Sequence, residues 1–426
     1  MIRTSKTILT ATAAAFLAFP AAAQTEIAWW DFLAGGDGVR MRALIDRFNE
    51  EHEDIQITPT TLEWGVPFYT KVRTSAAVGQ GPDIMTYHLS RMPLGLEEGV
   101  LSPITDADLE AAGLSMDDFY PSAVEAAKGP DGQLYAVPFD IHSIVLYYNK
   151  SYLEGTEFLD ADGNLTGITD LESFERAIEA AASNGSTNPL SFQTGGEAGV
   201  WRVFYTMMGQ MDGEFMTDGE VLAGENSDKA VRALQIMQQW RDNDWIPQQA
   251  EYEASVALFT SGQSAFHMNG VWEVPTLKDM EANGTLGFEW GAVQVPAFLG
   301  QPATWADSHA FAIPAQGEDG MDDETRAAVM QVIGWMSENS IGWADAGHIP
   351  AYLPTTQSAE YQAMEPNATY ATLAETAFFE PRSRIAGVAS PSYDATLNIM
   401  IPSVHGFFPP EEAVEEIKSE LGRALN

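Results

Sequence analysis

Thr25-Glu26-Ile27-Ala28-Trp29-Trp30-Asp31-Phe32 is followed, after glycines at Gly35, Gly36 and Gly38, by Met41, Leu44, Ile45 and Phe48 at helical spacing. The first stretch reads as a short apolar strand with Ile27, Trp29 and Trp30 inside it. The glycines read as a flexible turn. In the helix that follows, Arg42, Asp46, Arg47, Asn49 and Glu50 fill the face opposite the apolar stripe. Working outward, Ile55, Ile57 and Thr60 suggest a second strand, and Phe68 to Val78 a second helix closed by Gly79 and the turn Gly81-Pro82. Asp83-Ile84-Met85 resumes a strand. Strand and helix alternate, which is the pattern of an α/β lobe with a largely parallel sheet.

The chain continues in the same manner. Leu134 to Tyr148 is apolar and β-rich, interrupted by Pro138 and Asp140. Helices are expected near Leu171–Ala182, Val200–Met208, Lys229–Trp240, Val256–Ser264, Thr325–Met336 and Glu411–Leu425. In the third of these, Val231, Leu234, Met237 and Trp240 form one stripe, which reads as core packing. Strands are expected at Ala265–Asn269, Gly291–Val295 and Ala310–Ile313. At 426 residues the chain exceeds the size at which one core keeps growing, so two lobes are expected. No internal repeat or low-complexity linker is visible, so short segments should join them.

The first 23 residues read as a secretory signal peptide. Arg3 and Lys6 give a positive n-region, Ile8 to Phe19 an apolar core, and Ala21-Ala22-Ala23 small residues before Gln24. That core is shorter than the ~18 apolar residues a membrane span needs. There is no cysteine, which excludes a lipid-anchored cysteine, disulfides and thiolate metal sites. The chain carries 21 Lys plus Arg against 61 Asp plus Glu, a formal net charge of −40. The leader holds two of the cations, so the remainder is more acidic still. Such a field repels nucleic acid and anionic lipid surfaces and favours a soluble monomer.

The short motifs of common enzymes are absent: no nucleophile elbow, no phosphate-cradling Gly-rich loop and no His-Glu-x-x-His. His52, His88, His142, His267, His309, His348 and His405 are scattered, with no pair at helical metal-ligand spacing, so neither metal nor cofactor is expected. Asp160-Ala161-Asp162-Gly163-Asn164 begins like a calcium loop, but Leu165 and Leu171 stand where that loop needs Gly and Glu.

What stands out is aromatics beside carboxylates or amides in loop-like places: Trp29-Trp30-Asp31, Glu63-Trp64, Tyr87-His88, Phe139-Asp140, Asn269-Gly270-Val271-Trp272-Glu273, Trp305-Ala306-Asp307, and Trp343 with Asp345. A sugar has an apolar C–H face and a rim of hydroxyls. An indole covers the face and a carboxylate accepts the hydroxyl protons. Each indole taken singly could equally plug the core.

On these residues the chain resembles the family 1 extracellular solute-binding proteins, the maltose-binding type that serves ATP-driven importers. The markers stand in order: Ile27–Phe32 and the helix ending Phe48-Asn49-Glu50; Gly79-Gln80-Gly81-Pro82-Asp83-Ile84; Val137-Pro138-Phe139 through Tyr147-Tyr148-Asn149-Lys150; Phe259–Gly270 with Trp272; and Gly291–Pro296. The resemblance implies an α/β, two-lobed periplasmic-binding-protein fold with crossover hinge segments, closing over its ligand. It implies an N-terminal lobe of 24–139 and 301–353 and a C-terminal lobe of 140–300 and 354–426. It also implies ligand contacts from Trp30, Asp31, Trp64, His88, Asp140, Trp272, Trp305, Asp307 and Arg384. His88 departs from the carboxylate common at its position. The expected function is that of a periplasmic, non-lipoprotein, non-enzymatic subunit that delivers a carbohydrate to the permease subunits of an ABC importer. Two alternatives stay open: a cationic or quaternary-amine solute in the same fold, and a secreted polysaccharide-active enzyme.

Overall fold

The computed structural model describes residues 24–316 and 320–426. The leader expected at 1–23 lies outside the described residues. The first strand, β1 (Thr25–Asp31), buries Ile27 and Trp29 on one face, as the period of two requires. It pairs in parallel with β2 (Ile55–Thr61) and β3 (Ile84–His88). The strand His309–Ala312 then runs antiparallel to β3, and β4 (Ala136–Pro138) antiparallel to it. The sheet is therefore mixed, not largely parallel. Its fourth member arrives by a direct crossing from the other lobe and not through a covering helix.

The helix after β1, α1 (Gly35–Glu51), begins inside the glycine cluster that the sequence suggested was a turn. Space explains the glycines. A Cβ on Gly36 would lie 2.5 Å from the Pro275 ring, so the first turn of α1 abuts the helix Val274–Ala282 with no room for a side chain.

The second sheet is built on β5 (Asp140–Asn149), ten residues buried throughout. Its order is Ala377–Phe379, Thr304–Asp307, β5, Phe266–Gly270 and Leu190–Ser191, and Trp290–Gln294 and Ile349–Pro350 also pair with β5. A strand covered on both faces needs a continuous apolar run, and Ile144-Val145-Leu146-Tyr147-Tyr148 supplies it.

The chain passes between the sheets at three places. Phe139 separates β4 from β5, and its N–H donates to His309 O at 2.8 Å. Asp307 pairs with His142 in the second sheet, while His309 pairs with His88 in the first. Ile349–Pro350 pairs with Ile141 and Asp140, after which Tyr352 bridges to Phe119. The pairing partner thus changes at Ser308, whereas the resemblance put that division at 301. The three crossings lie side by side, and their buried side chains form the floor of the site.

The helix Glu197–Gln210 is buried from Val200 through Gln210. It packs on Thr304–Asp307, where Thr206 Oγ1 accepts from Trp305 N at 2.9 Å. Among the described residues, no helix is long and apolar enough to cross a membrane.

Candidate functional site in the inter-lobe cleft

A cleft of about 530 Å³ lies over the crossings. The first lobe contributes the β1–α1 turn from Phe32 to Asp37, Glu63, Trp64 and His88. The second contributes Gln193, Glu197, Ala198 and Arg202 from one side and Tyr252, Glu253, Trp272, Glu273 and Thr276 from the other. His142 and His309 rise from the floor.

Asp140 organises that floor without reaching the cleft. Its carboxylate is fully buried and accepts from His142 Nδ1 at 2.9 Å, His309 N at 2.9 Å, His309 Nδ1 at 2.8 Å and Trp343 Nε1 at 2.7 Å. His348 Nδ1 lies 3.0 Å from the same carboxylate. Burial alone would raise the pKa of Asp140, but the surrounding imidazoles more than reverse this and hold it well below the usual carboxylate range. Burial and the neighbouring His309 push His142 down to about 3, so it is neutral. A carboxylate has no proton to give, so His142 and His309 must donate from Nδ1. His142, neutral in that tautomer, presents Nε2 as an acceptor for a ligand hydroxyl. His88 shows the opposite arrangement: the Tyr69 hydroxyl lies 2.6 Å from its Nδ1 and has no other acceptor nearby, which leaves Nε2–H as the donor. Burial holds His88 neutral as well.

Asp140, His142, His309 and His348 bring ligand-type atoms within 4.8 Å of one another, as do His88, His142 and Asp307. In sequence these histidines looked unrelated. In the first group, however, His142 and His309 direct Nδ1 at the Asp140 oxygens and not at a shared centre, whereas His348 Nδ1, 3.0 Å from the same carboxylate, makes no hydrogen bond.

The nine residues expected at the site separate into three sets. Trp64, His88 and Trp272 line the cleft. Asp140, Asp31, Asp307 and Trp305 are buried behind it. Asp31 accepts from Leu33 N at 3.0 Å and shapes the turn into α1. Asp307 accepts from Ser90 N at 3.0 Å and Ser90 Oγ at 2.5 Å, tying the second crossing to the end of β3, and burial pushes its carboxyl up to about 7. Trp305 is wholly buried and donates to Glu380 at 2.8 Å. Trp30 and Arg384 lie elsewhere. Trp30 follows a strand residue that faces the core, so it points the other way, beneath the Lys71 ammonium 5.4 Å from its ring. Arg384 is half-exposed on the surface, paired with Glu97 at 3.0 Å and Ala424 O at 2.6 Å.

The unforeseen residue is Arg202. It is buried, with its guanidinium carbon 4.6 Å from the Trp272 ring centroid, 4.7 Å from Trp305 and 5.9 Å from Trp64. A signal was available, since it is the only charge in the run Val200–Met208. Trp272 has its other face on Gly270, where a Cβ would come within 2.1 Å of the ring, and its Nε1 donates to the Tyr252 hydroxyl at 2.8 Å. Tyr252 donates in turn to Glu273, whose carboxyl burial pushes up to about 7.

Residues 43–374 match the family described as bacterial extracellular solute-binding protein. The chain is 28% identical over 188 residues to the sn-glycerol-3-phosphate-binding periplasmic protein UgpB of Brucella abortus, across 42% of this chain and 41% of that protein. It is 24% identical over 252 residues to a maltooligosaccharide ABC transporter solute-binding lipoprotein of Streptococcus pneumoniae, across 55% of this chain and 52% of that one. The match to the Brucella relative thus spans about two-fifths of its length. Among solved structures, the GacH receptor of Streptomyces glaucescens superposes with a TM-score of 0.78 at 17% identity, covering 94% of this chain and 98% of that chain. The maltose-bound MalE3 of T. maritima gives 0.77 at 19% identity, covering 94% and 100%. These likenesses carry the two-lobed fold, and with a family match over most of its length the chain belongs to the bacterial extracellular solute-binding proteins.

Proposed function

We propose that this chain is the periplasmic binding subunit of an ABC importer, and that it holds a carbohydrate between its lobes. The observation that carries this reading is the pairing of aromatic wall and hydroxyl-matched floor. Trp64 stands edge-on to His88, at 86° with ring centroids 6.2 Å apart, while the floor offers a donor from neutral His88 and an acceptor from neutral His142. A polyol rim needs both in one place. One relative named for a glycerol phosphate and another named for maltooligosaccharides are consistent with a polyhydroxylated solute.

In this reading Trp64 covers a sugar C–H face, and His88, His142 and His309 meet its hydroxyls. Asp140, Asp31, Asp307 and Trp305 are positioning residues. The lobes divide at Phe139, Ser308 and Ile349–Pro350. The chain acts by binding and release and not by turnover: Asp37 and Glu273, the buried carboxylates of the cleft, are each engaged by a neighbour. It works as a monomer, meets the importer's membrane subunits and avoids nucleic acid, in keeping with its acidic field. The cationic-solute alternative loses ground because a guanidinium already occupies the indole faces that would cage a cation.

A thermal-shift screen of the purified protein against a sugar panel tests this, since a ligand at a hundred times its Kd stabilises by about 2.7 kcal/mol. A shift with one or more sugars is expected. Shifts with choline or betaine and none with any sugar would overturn the reading.

A further inference from the structure

Among the described residues two arginines are buried, Arg91 and Arg202. Arg91 is conventionally satisfied, bonded to Ala389 O at 2.5 Å and paired with Glu98 at 3.5 Å. Arg202 is not. Its Nε is buried without a hydrogen-bond partner, and no ion pair reaches its guanidinium among the described residues. A buried charge is normally paired, because desolvation is otherwise uncompensated. The indoles of Trp272 and Trp305 flank it and supply cation–π attraction, but that leaves its N–H donors unused.

The carboxylates nearby do not serve it. Glu380 lies behind Trp305 and accepts from Trp201 Nε1 at 2.7 Å, Trp305 Nε1 at 2.8 Å and Gly387 N at 2.7 Å. Asp37 belongs to His348, and Glu273 to Tyr252. Glu63 and Glu253 are exposed at the mouth of the cleft, and Glu197, at the start of Arg202's own helix, is half-buried in the cleft wall and makes no ion pair with it. In a strongly acidic chain, the one cation turned into the cleft among the described residues has been left without a counter-ion there, and it sits beside the histidine floor. A planar guanidinium held rigidly between aromatic rings is suited to bidentate capture of an oxyanion.

We infer that the cleft takes an acidic saccharide, whose oxyanion docks on Arg202 while its hydroxyls meet His88, His142 and His309. This rests on the carbohydrate reading above and narrows it to a charged class. A carboxylate on a uronic acid and a phosphate on a sugar phosphate share the required chemistry.

The test is calorimetric titration of the mature protein with glucuronate, galacturonate and glucose 6-phosphate, alongside glucose and galactose as neutral parents, with choline chloride and sodium phosphate as controls. At least one acid should bind tenfold or more tightly than its neutral parent, and the uronates and the phosphate ester tell which oxyanion is read. Arg202→Gln should lower that affinity by about thirtyfold or more, since truncating one partner of a buried charge pair costs at least about 2 kcal/mol. It should change neutral-sugar binding much less. The unliganded variant should melt at or above the wild type, because an unpaired buried charge has been removed. Arg202→Lys keeps the charge without the planar fork and should fall between the two. It also carries the comparison should the glutamine variant fail to fold. A neutral sugar that binds as tightly as its acid would overturn this inference and leave the carbohydrate reading standing. Binding of choline alone, or of nothing in the panel, would overturn both. Phosphate alone binding as tightly as the sugar acids would overturn the saccharide half of the proposal.

Discussion

His348 Nε2 lies 3.0 Å from Asp37 Oδ2, and both side chains are buried. The other ring nitrogen lies 3.0 Å from Asp140. One imidazole from the third crossing therefore joins the first turn of α1 to the start of β5, linking the cleft wall to the hinge. Burial by itself would lower the pKa of His348, but the two carboxylates more than reverse this and hold it at about 10. A histidine raised in the folded state stabilises fully below its unfolded pKa of about 6.5, and that contribution fades as pH rises toward the folded value. Urea unfolding of the wild type should therefore show stability falling between pH 6.5 and 10 relative to His348→Gln, which should lack that part of the slope. At pH 6 the variant should be less stable by about 3–5 kcal/mol, the usual result of removing one partner from a buried ion pair. Parallel pH profiles for the two proteins would show that the bridge does not carry a charge.

The aromatic residues should separate into binding and packing roles. Truncating a central aromatic anchor costs about 2 kcal/mol or more, which is about thirtyfold in affinity. Trp64→Ala and Trp272→Ala should each lose that much by calorimetry while melting near the wild type. Trp240 is fully buried on the apolar stripe of the helix Asn226–Asp242, so Trp240→Ala should cost about 3–5 kcal/mol of stability and little affinity in the protein that remains folded. Trp305→Ala should lose both, because that indole fills the core and also backs Arg202. Gly270→Ala offers a subtler check. Its methyl would occupy the place of the Trp272 ring, so it should imitate Trp272→Ala in affinity without removing an aromatic. Cleft variants that melt early yet bind normally would reverse the assignment of core and site.

The parts of this protein that the sequence made legible are those governed by local periodicity. β1, the body of α1 and the stripe through Leu234, Met237 and Trp240 follow directly from apolar spacing, and the strand–helix alternation carried the fold class. The site was only partly visible, because its residues converge from separate crossings. Trp64 and Trp272 were conspicuous because each indole stands directly beside a carboxylate, Glu63 and Glu273. Asp140 stands out in the sequence but does not meet the cleft: His142 is visible beside it, whereas nothing in its neighbours reveals that His309, His348 and the Trp343 indole close over it from distant segments. His142 and His309 look like isolated polar residues within apolar strands until the pairing of Asp307 with His142 brings the two crossings together. Trp30 fails on strand parity alone, because a shift of one residue changes the face. Arg202 was hidden within its helix, because an apolar run draws attention away from the one charge inside it. Its helix neighbours are buried, and that single charge marks the exception.

Export can be checked directly. The positive n-region with Arg3 and Lys6 and the small residues Ala21-Ala22-Ala23 predict cleavage before Gln24. Intact-mass analysis of protein purified from its native host should give a mature chain beginning at or near Gln24, recovered in the periplasmic fraction. A chain that retains Met1 would contradict the assignment. With no cysteine in the sequence, the same spectrum should show no lipid adduct.

Closure is the remaining expectation, and Arg40 gives it a handle. Arg40 stands on α1 and donates through both terminal nitrogens to Asp279, each at 2.9 Å, while its Nε reaches Asp345 at 3.2 Å. Asp279 belongs to the helix Val274–Ala282, which follows the second-lobe strand Phe266–Gly270, so the bridge spans the two sides of the cleft. Asp279 is well exposed, and such pairs are worth no more than about 1 kcal/mol. That is too little to hold the lobes shut alone, but enough to bias a balanced equilibrium. Small-angle scattering should show a smaller radius of gyration at saturating ligand than without it, because contacts made from both lobes exist only in the closed form. Arg40→Ala should shift the unliganded population toward the larger radius and weaken ligand by about fivefold at most, since 1 kcal/mol converts to that factor. At saturation it should reach the same closed radius as the wild type. A radius that does not change with a confirmed tight ligand would mean that the lobes are fixed and that the crossings are not hinges.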